Sequence, residues 1–274
     1  MIAGALRAVA GLWRGYKALL HLTWSEMLQY RAAVFIWTLW SLAGPIIHLS
    51  VWSSIVAAEG ALAGYDRGAI VAYFVVQSVV YHFTGAWQVW DFSYLIRTGR
   101  LSARLVKPFD PSHHLVASNV AFKLMNLVWL IPIWTGMYLY FRPELPLGVG
   151  SVLTFLLALL LASVLLFLWN QCFAMIAFWT VRASAFYEFA DALGYMVGGG
   201  IAPVALIPPA LQSISRALPY YYGVGFPIEV GIGALDGAAV RAGLWASALW
   251  IAALFVIYRL LWRWGLKRFS AVGA

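Results

Sequence analysis

Charge is what this sequence has least of: 10% of its 274 residues are charged, while 64% are hydrophobic and the mean hydropathy is +0.84. A soluble domain carries about 25% charged residues, so this chain has too few polar groups to cover a water-facing surface. It reads as an integral membrane protein. The apolar blocks lack the period-two alternation of a lipid-facing barrel strand, which excludes a porin and leaves helices as the spanning elements. The one cysteine, Cys172, excludes an internal disulfide and any thiolate metal cluster. The five histidines never fall at the paired spacing of a zinc hydrolase, so no metal site is expected. Adjacent His113 and His114 read as solvated loop residues beside Pro111. The four lysines, Lys17, Lys107, Lys123 and Lys267, follow Tyr16, Val106, Phe122 and Leu266. None follows the glycine of a phosphate-cradling loop, so ATP hydrolysis by such a loop is excluded. No G-x-S-x-G is present, and no catalytic residue is expected. All ten acids fall in loops or near span ends, Asp91, Glu188 and Asp191 coming closest to the bilayer. Proton-coupled transporters and intramembrane proteases place carboxylates at mid-bilayer, so both classes are weakened.

About 20 apolar residues cross the hydrocarbon core, and six stretches qualify: 32–57, 69–91, 115–141, 147–179, 186–207 and 242–263. The fourth is longer than one crossing needs. The fifth contains Gly198, Gly199, Gly200 and Pro203, which loosen or break a helix. The basic residues sort by side. Arg7, Arg14, Lys17 and Arg31, then Arg97, Arg100, Arg104 and Lys107, then Arg182, then Arg259, Arg263, Lys267 and Arg268 fall on one side of a six-span chain. Arg67, Arg142, Arg216 and Arg241 fall on the other, and Lys123 lies within the third span. The positive-inside rule then makes both termini cytoplasmic, and six is the count that makes the clusters agree. The expected place is a bacterial-type cytoplasmic (inner) membrane. The first 24 residues carry basic residues throughout and no uninterrupted signal-peptide run, so they are expected to be retained.

Before the first span, Ile2, Leu6, Val9, Trp13, Tyr16, Leu20, Trp24 and Met27 recur at helical spacing beside a basic stripe. The pattern predicts an interfacial helix over 1–30, with packing on a partner protein as the alternative. Residues 198–235, rich in Gly, Pro and aromatics, are too apolar for an ordinary outer loop and read as re-entrant helices, or else as a compact interfacial loop. Ala190, Gly194, Gly198 and Ala202, spaced four apart, offer a smooth stripe to another helix of this chain or of a partner. Among polar residues inside spans, Gln77, His82, Asn126, Asn170 and Gln171 are candidate pathway residues, although an interhelical bond is the commoner use of such groups. Lys123 is expected to snorkel toward the inner interface. No internal repeat is visible, and one all-α transmembrane domain over 1–274 is the simplest organisation.

The stretch 94–112 joins the second and third spans. Within it, Leu101, Leu105 and Val106 form an apolar side, Arg97, Arg100, Arg104 and Lys107 a basic one, and Pro108 and Pro111 stop it. By itself this is a positive-inside loop. Its pattern, R-T-G-x-L-x-x-x-L-x-K-P over Arg97 to Pro108, resembles the permease subunits of type-2 ABC exporters, particularly the viologen-exporter-like branch. Leu218-Pro219-Tyr220 followed by Pro227 and Gly231 looks like that family's stretch before the last span. The resemblance covers the whole topology. It implies a permease that pairs with a second permease, identical or homologous, and is driven by a separate ABC ATPase dimer carrying the ATP and Mg. Arg97, Gly99, Arg100, Leu101, Arg104, Leu105, Lys107 and Pro108 would then form the ATPase-coupling site. No cofactor is expected in this chain and no nucleic-acid partner. The substrate would be a small amphiphilic, cationic or lipid-like compound. An intramembrane enzyme, or an assembly or scaffold protein without a pathway, is the alternative.

Overall fold

The computed structural model describes residues 2–107 and 110–269, with side chains from residue 14 onward except Trp40. Its described residues form α1 (Ile2–Gln29), α2 (Arg31–Glu59), α3 (Arg67–Thr84), α4 (Gln88–Arg97), α5 (Arg100–Leu105) and α6 (Pro111–Phe141). They continue with α7 (Val149–Met175), α8 (Ala183–Val197), α9 (Pro209–Ala217), α10 (Pro219–Gly223), α11 (Gly225–Gly231) and α12 (Gly237–Arg268). A 3-10 turn over Ile176–Phe178 extends α7, and another covers Val204–Leu206. The acids that the sequence keeps out of the bilayer open three of the long helices. Asp66 accepts from the Ala69 amide at 2.8 Å, Asp110 from Ser112 at 2.8 Å and Asp236 from Ala239 at 2.7 Å. Each satisfies one of the amide donors a helix start leaves bare.

Five stretches are long and apolar enough to cross a membrane: Arg31–Glu59, Arg67–Arg97, Pro111–Phe141, Val149–Phe178 and Gly237–Arg268. The second is not one continuous helix. It breaks at Gly85-Ala86-Trp87, and two neighbours satisfy the freed backbone. The Asn119 amide donates to the Gly85 carbonyl at 3.0 Å and the Asn170 amide to that of Ala86 at 3.2 Å, while the Val89 N–H donates to Asn170 Oδ1 at 2.9 Å. The stretch expected as the fifth span, 186–207, is not a continuous helix either. α8 has 15 residues and ends at Gly198, because Gly199 turns left-handed at φ +96°. Fifteen residues rise about 22 Å, short of a full crossing.

The most apolar helix, α7, is the central post, packed against α3, α4, α8, α10, α11 and α12. The ends of the molecule follow from cross-links. Arg259 near the end of α12 lies 3.8 Å from Asp110, the Tyr258 and Ser112 hydroxyls are 2.6 Å apart, and Tyr16 meets His113 Nδ1 at 2.6 Å. These tie α1, the loop before α6 and the last turns of α12 at one end. Residues 177–181 face 93–97 there. At the other end, residues 63–69, 140–144, 205 and 232–235 surround a common cleft.

Candidate functional site

α5 begins after Gly99, whose φ of +69° lets the chain reverse between Thr98 and Arg100 without a Cβ clash. Its six residues are too few to hold a helix alone, so packing must fix it. Leu101 does so. It is fully buried in the chain's own core, and Leu105 is packed against the same cluster. Leu101, expected in the ATPase-coupling site, thus faces inward: the inner side of this six-residue helix beside α4 and α6 is occupied by the chain itself. What remains outward is Arg97, Arg100, Ala103, Lys107 and Val106, the last 86% exposed. The Arg100 guanidinium sits 5.3 Å over the Tyr94 ring, which restrains it by a cation–π contact. Arg104 is half-buried and lines a cavity of about 290 Å³ with Glu26 of α1, Asp91 of α4 and His114 of α6. Burial pulls the Arg104 pKa down while the Asp91 and Glu26 carboxylates push it back up. The knob is therefore tied to three helices by one buried leucine and one shared charge pocket. Pro108 lies outside the described residues. His113 and His114, expected in a solvated loop, sit half-buried in the first turn of α6, because Asp110 and Pro111 start that helix earlier than the apolar pattern does.

Of the expected pathway residues, Gln77, His82, Asn126 and Asn170 make hydrogen bonds to other parts of the bundle. Gln77 Nε2 donates to the Gly199 carbonyl at 3.1 Å and to that of Gly200 at 2.8 Å, and the Tyr73 hydroxyl donates to Gly199 at 2.8 Å. Together they hold the point where α8 ends. The His82 ring bonds the Lys123 carbonyl at 3.0 Å, and Asn126 bonds the Thr38 hydroxyl of α2. Asn170 holds the α3–α4 break. Gln171, buried, has no hydrogen-bond partner on either side-chain atom among the described residues, and Gln88 is the same. Lys123 does not snorkel. α6 starts at Pro111, which puts it about 18 Å up the helix, and its side chain is buried.

The small-residue stripe meets its own chain. A Cβ at Gly194 would lie 2.4 Å from the Tyr220 ring and one at Gly198 would lie 2.7 Å from it, so α8 and α10 pack ring against backbone. Asp191 accepts from the Tyr187 and Tyr220 hydroxyls at 3.0 and 3.1 Å. Residues 198–235 thus contain α9, α10 and α11 as short helices folded onto α7 and α8.

Sequence reasoning counted Arg67, Arg142 and Arg216 only as topological markers. The structure brings them to one cleft of about 1080 Å³, whose lining also includes Tyr65, Tyr140 and Glu229. They lie at the start of α3, just after α6 and within α9, so no spacing signal joins them; only their shared side was legible. None of the five expected pathway residues lines this cleft. Among the described residues no group of three or more His, Cys, Asp or Glu side chains could hold a metal ion.

No curated protein matches the sequence. The profile of the ABC-2 family transporter proteins matches residues 42–273, from the middle of α2 to the end of the chain. With a helical membrane architecture, a packed knob between its second and third long helices and a match over most of its length, the chain belongs to the ABC-2 family of transporter proteins, as a membrane component of the kind that associates with an ABC ATPase.

Proposed function

We propose that this chain is the permease subunit of an ATP-driven exporter of the viologen-exporter-like branch, working with a second permease and moved by a separate ABC ATPase dimer that carries the ATP and Mg. The ATPase engages residues 97–107 through their outward side, and the cargo is a small amphiphilic or lipid-like compound. The observation that carries this reading is the form of α5: a single helical turn, rigidly seated by Leu101, that presents Arg97, Arg100, Val106 and Lys107 outward. A loop whose only task was to mark topology would need the charges but not the seat. Six crossings suit this reading. With residues 177–181 near 93–97 and Ala205 lining the cleft beside residues 63–69, α8 and the Gly-rich turns after it would make the fifth passage. Both termini and α5 then share the cytoplasmic side of an inner membrane, with α1 in the interface.

The test separates seat from contact. Val106→Asp puts a charge where a partner would desolvate it, at a cost of several kcal/mol. The variant should keep the parent's thermal midpoint while copurification of the ATPase and transport both fall. Arg100→Ala, a rim charge worth about 0–1 kcal/mol, should do less. A Val106→Asp variant that binds its ATPase and transports like the parent would remove the coupling assignment.

A further inference from the structure

Arg67, Arg142 and Arg216 line the 1080 Å³ cleft at the end opposite α5. All three are exposed, and among the described residues none has a carboxylate within 4 Å. Three acids share the lining, and two are already engaged. Asp66 caps α3 through the Ala69 amide, and Glu229, 4% exposed, accepts the Tyr221 hydroxyl at 2.6 Å. Glu144 is the third and stays exposed. The amino-terminal turn of α3, Arg67 to Ala69, also borders the cleft and adds the partial positive charge of a helix start. Among the described residues, the non-glycine positions with left-handed backbone are Ala63 and Arg142, each at φ +47°, and both line this cleft. Backbone in that region is strained for a residue with a Cβ, and Arg142 adopts it as the residue that ends α6.

Exposed guanidiniums with no ion pair among the described residues are open to an anion, and their planar forks suit phosphate oxygens. Val71, Ile232 and Leu235 supply an apolar wall, and Leu139 near the end of α6, Leu147 in the α6–α7 loop and Val149 at the start of α7 are exposed at 66, 62 and 78%. Charge in the cleft next to bare apolar helix surface is the pattern that an amphiphile's head and tails would match.

We propose that this cleft binds the phosphate-bearing headgroup of an amphiphile, with Arg67, Arg142 and Arg216 as the phosphate ligands and the α6–α7 surface beside its tails. This narrows the substrate class proposed above and rests on that reading only in treating the ligand as cargo; binding itself needs neither export nor ATP.

The experiment uses the purified full-length chain in a non-ionic detergent, without ATP, with binding read by native mass spectrometry. Dihexanoylphosphatidic acid should bind at least tenfold more tightly than dihexanoylglycerol, which lacks the phosphate. The triple variant Arg67→Gln, Arg142→Gln, Arg216→Gln should lose that preference, whereas Arg241→Gln, an exposed arginine outside the cleft, should retain it. Unchanged thermal midpoints guard against misfolding, and Arg142→Lys, which keeps the charge without the fork, should give an intermediate preference. Equal binding of the two probes, or a triple variant that binds like the parent, overturns the proposal. Displacement of the lipid probe by an equal concentration of glycerol 3-phosphate would overturn the amphiphile and leave a site for soluble phosphates. Because no ATPase takes part, a failure of the coupling reading leaves these outcomes unaffected.

Discussion

Tyr220 is where the cost of a single methyl group is easiest to foresee. Its ring lies against Gly194, where an added Cβ would come within 2.4 Å of the ring. Gly194→Ala gains up to about 1 kcal/mol of helix propensity in α8. It loses about 1–3 kcal/mol by overpacking a contact that cannot open without moving α10. The net should be a lower thermal midpoint in detergent; an unchanged or raised one would show that the ring has room to move. Two adjacent amides of α7 give the complementary case. Asn170→Leu leaves the Val89 amide and the Ala86 carbonyl without their side-chain partner at the break, at about 1–3 kcal/mol for each group. Gln171→Leu removes an amide that has no partner among the described residues and should be neutral or stabilising. Thermal midpoints that fall equally in both variants would refute the assignment of the two roles.

Among elements, α5 is the one whose shape depends wholly on its neighbours. A six-residue helix forms because Leu101 is buried and because Arg104 shares a pocket with Glu26 and Asp91. Leu101→Asp is therefore a folding lesion, and loss of transport in that variant would say nothing about a partner. The charge pocket can be tested separately. With Glu26→Gln and Asp91→Asn combined, Arg104 loses its two carboxylate neighbours, and amide hydrogen exchange over residues 100–107 should quicken while the rest of the bundle keeps its protection. Exchange unaltered in that segment would mean that Leu101 alone holds the element. α1 touches the same region through Tyr16 and His113. The amphipathic start is thus packed on the long helices at least at this point. Its exposed Leu22, Trp24 and Leu28 remain for the interface.

For the whole molecule, the sidedness can be checked without knowing the cargo. A single cysteine at Ala103 should react with an impermeant maleimide only from the cytoplasm, and cysteines at Ala63 and Asp236 only from outside. The background is Cys172→Ser, because the native thiol is buried. Labelling of Ala103 from outside would reverse the orientation and remove α5 from any ATPase. The same two-ended arrangement sets where each kind of chemistry resides. The packed knob and its charge pocket lie at one end, the arginine cleft at the other, and between them lies a bundle whose buried asparagines and Gln77 bond mostly to backbone.

The charge deficit, the long apolar runs and the sorting of arginines and lysines suffice to establish a helical membrane protein, the positions of its long helices and the stretch 97–108 as a distinctive element. These are properties of hydrophobic length and local composition, and they do not depend on which helix meets which. Tertiary structure decided the rest. It turned Leu101 inward because one turn of helix has only one face to pack. It broke the second long helix at Gly85 because Asn119 and Asn170, distant in sequence, arrive to satisfy the backbone released there. It ended α8 at Gly198 because the carbonyls beyond are taken by Gln77 and Tyr73. It also gathered Arg67 of α3, Arg142 after α6 and Arg216 of α9 into one cleft. Composition fixes the side of the membrane on which a charge falls, but convergence depends on how the helices are placed around α7, and that follows from packing across the whole chain.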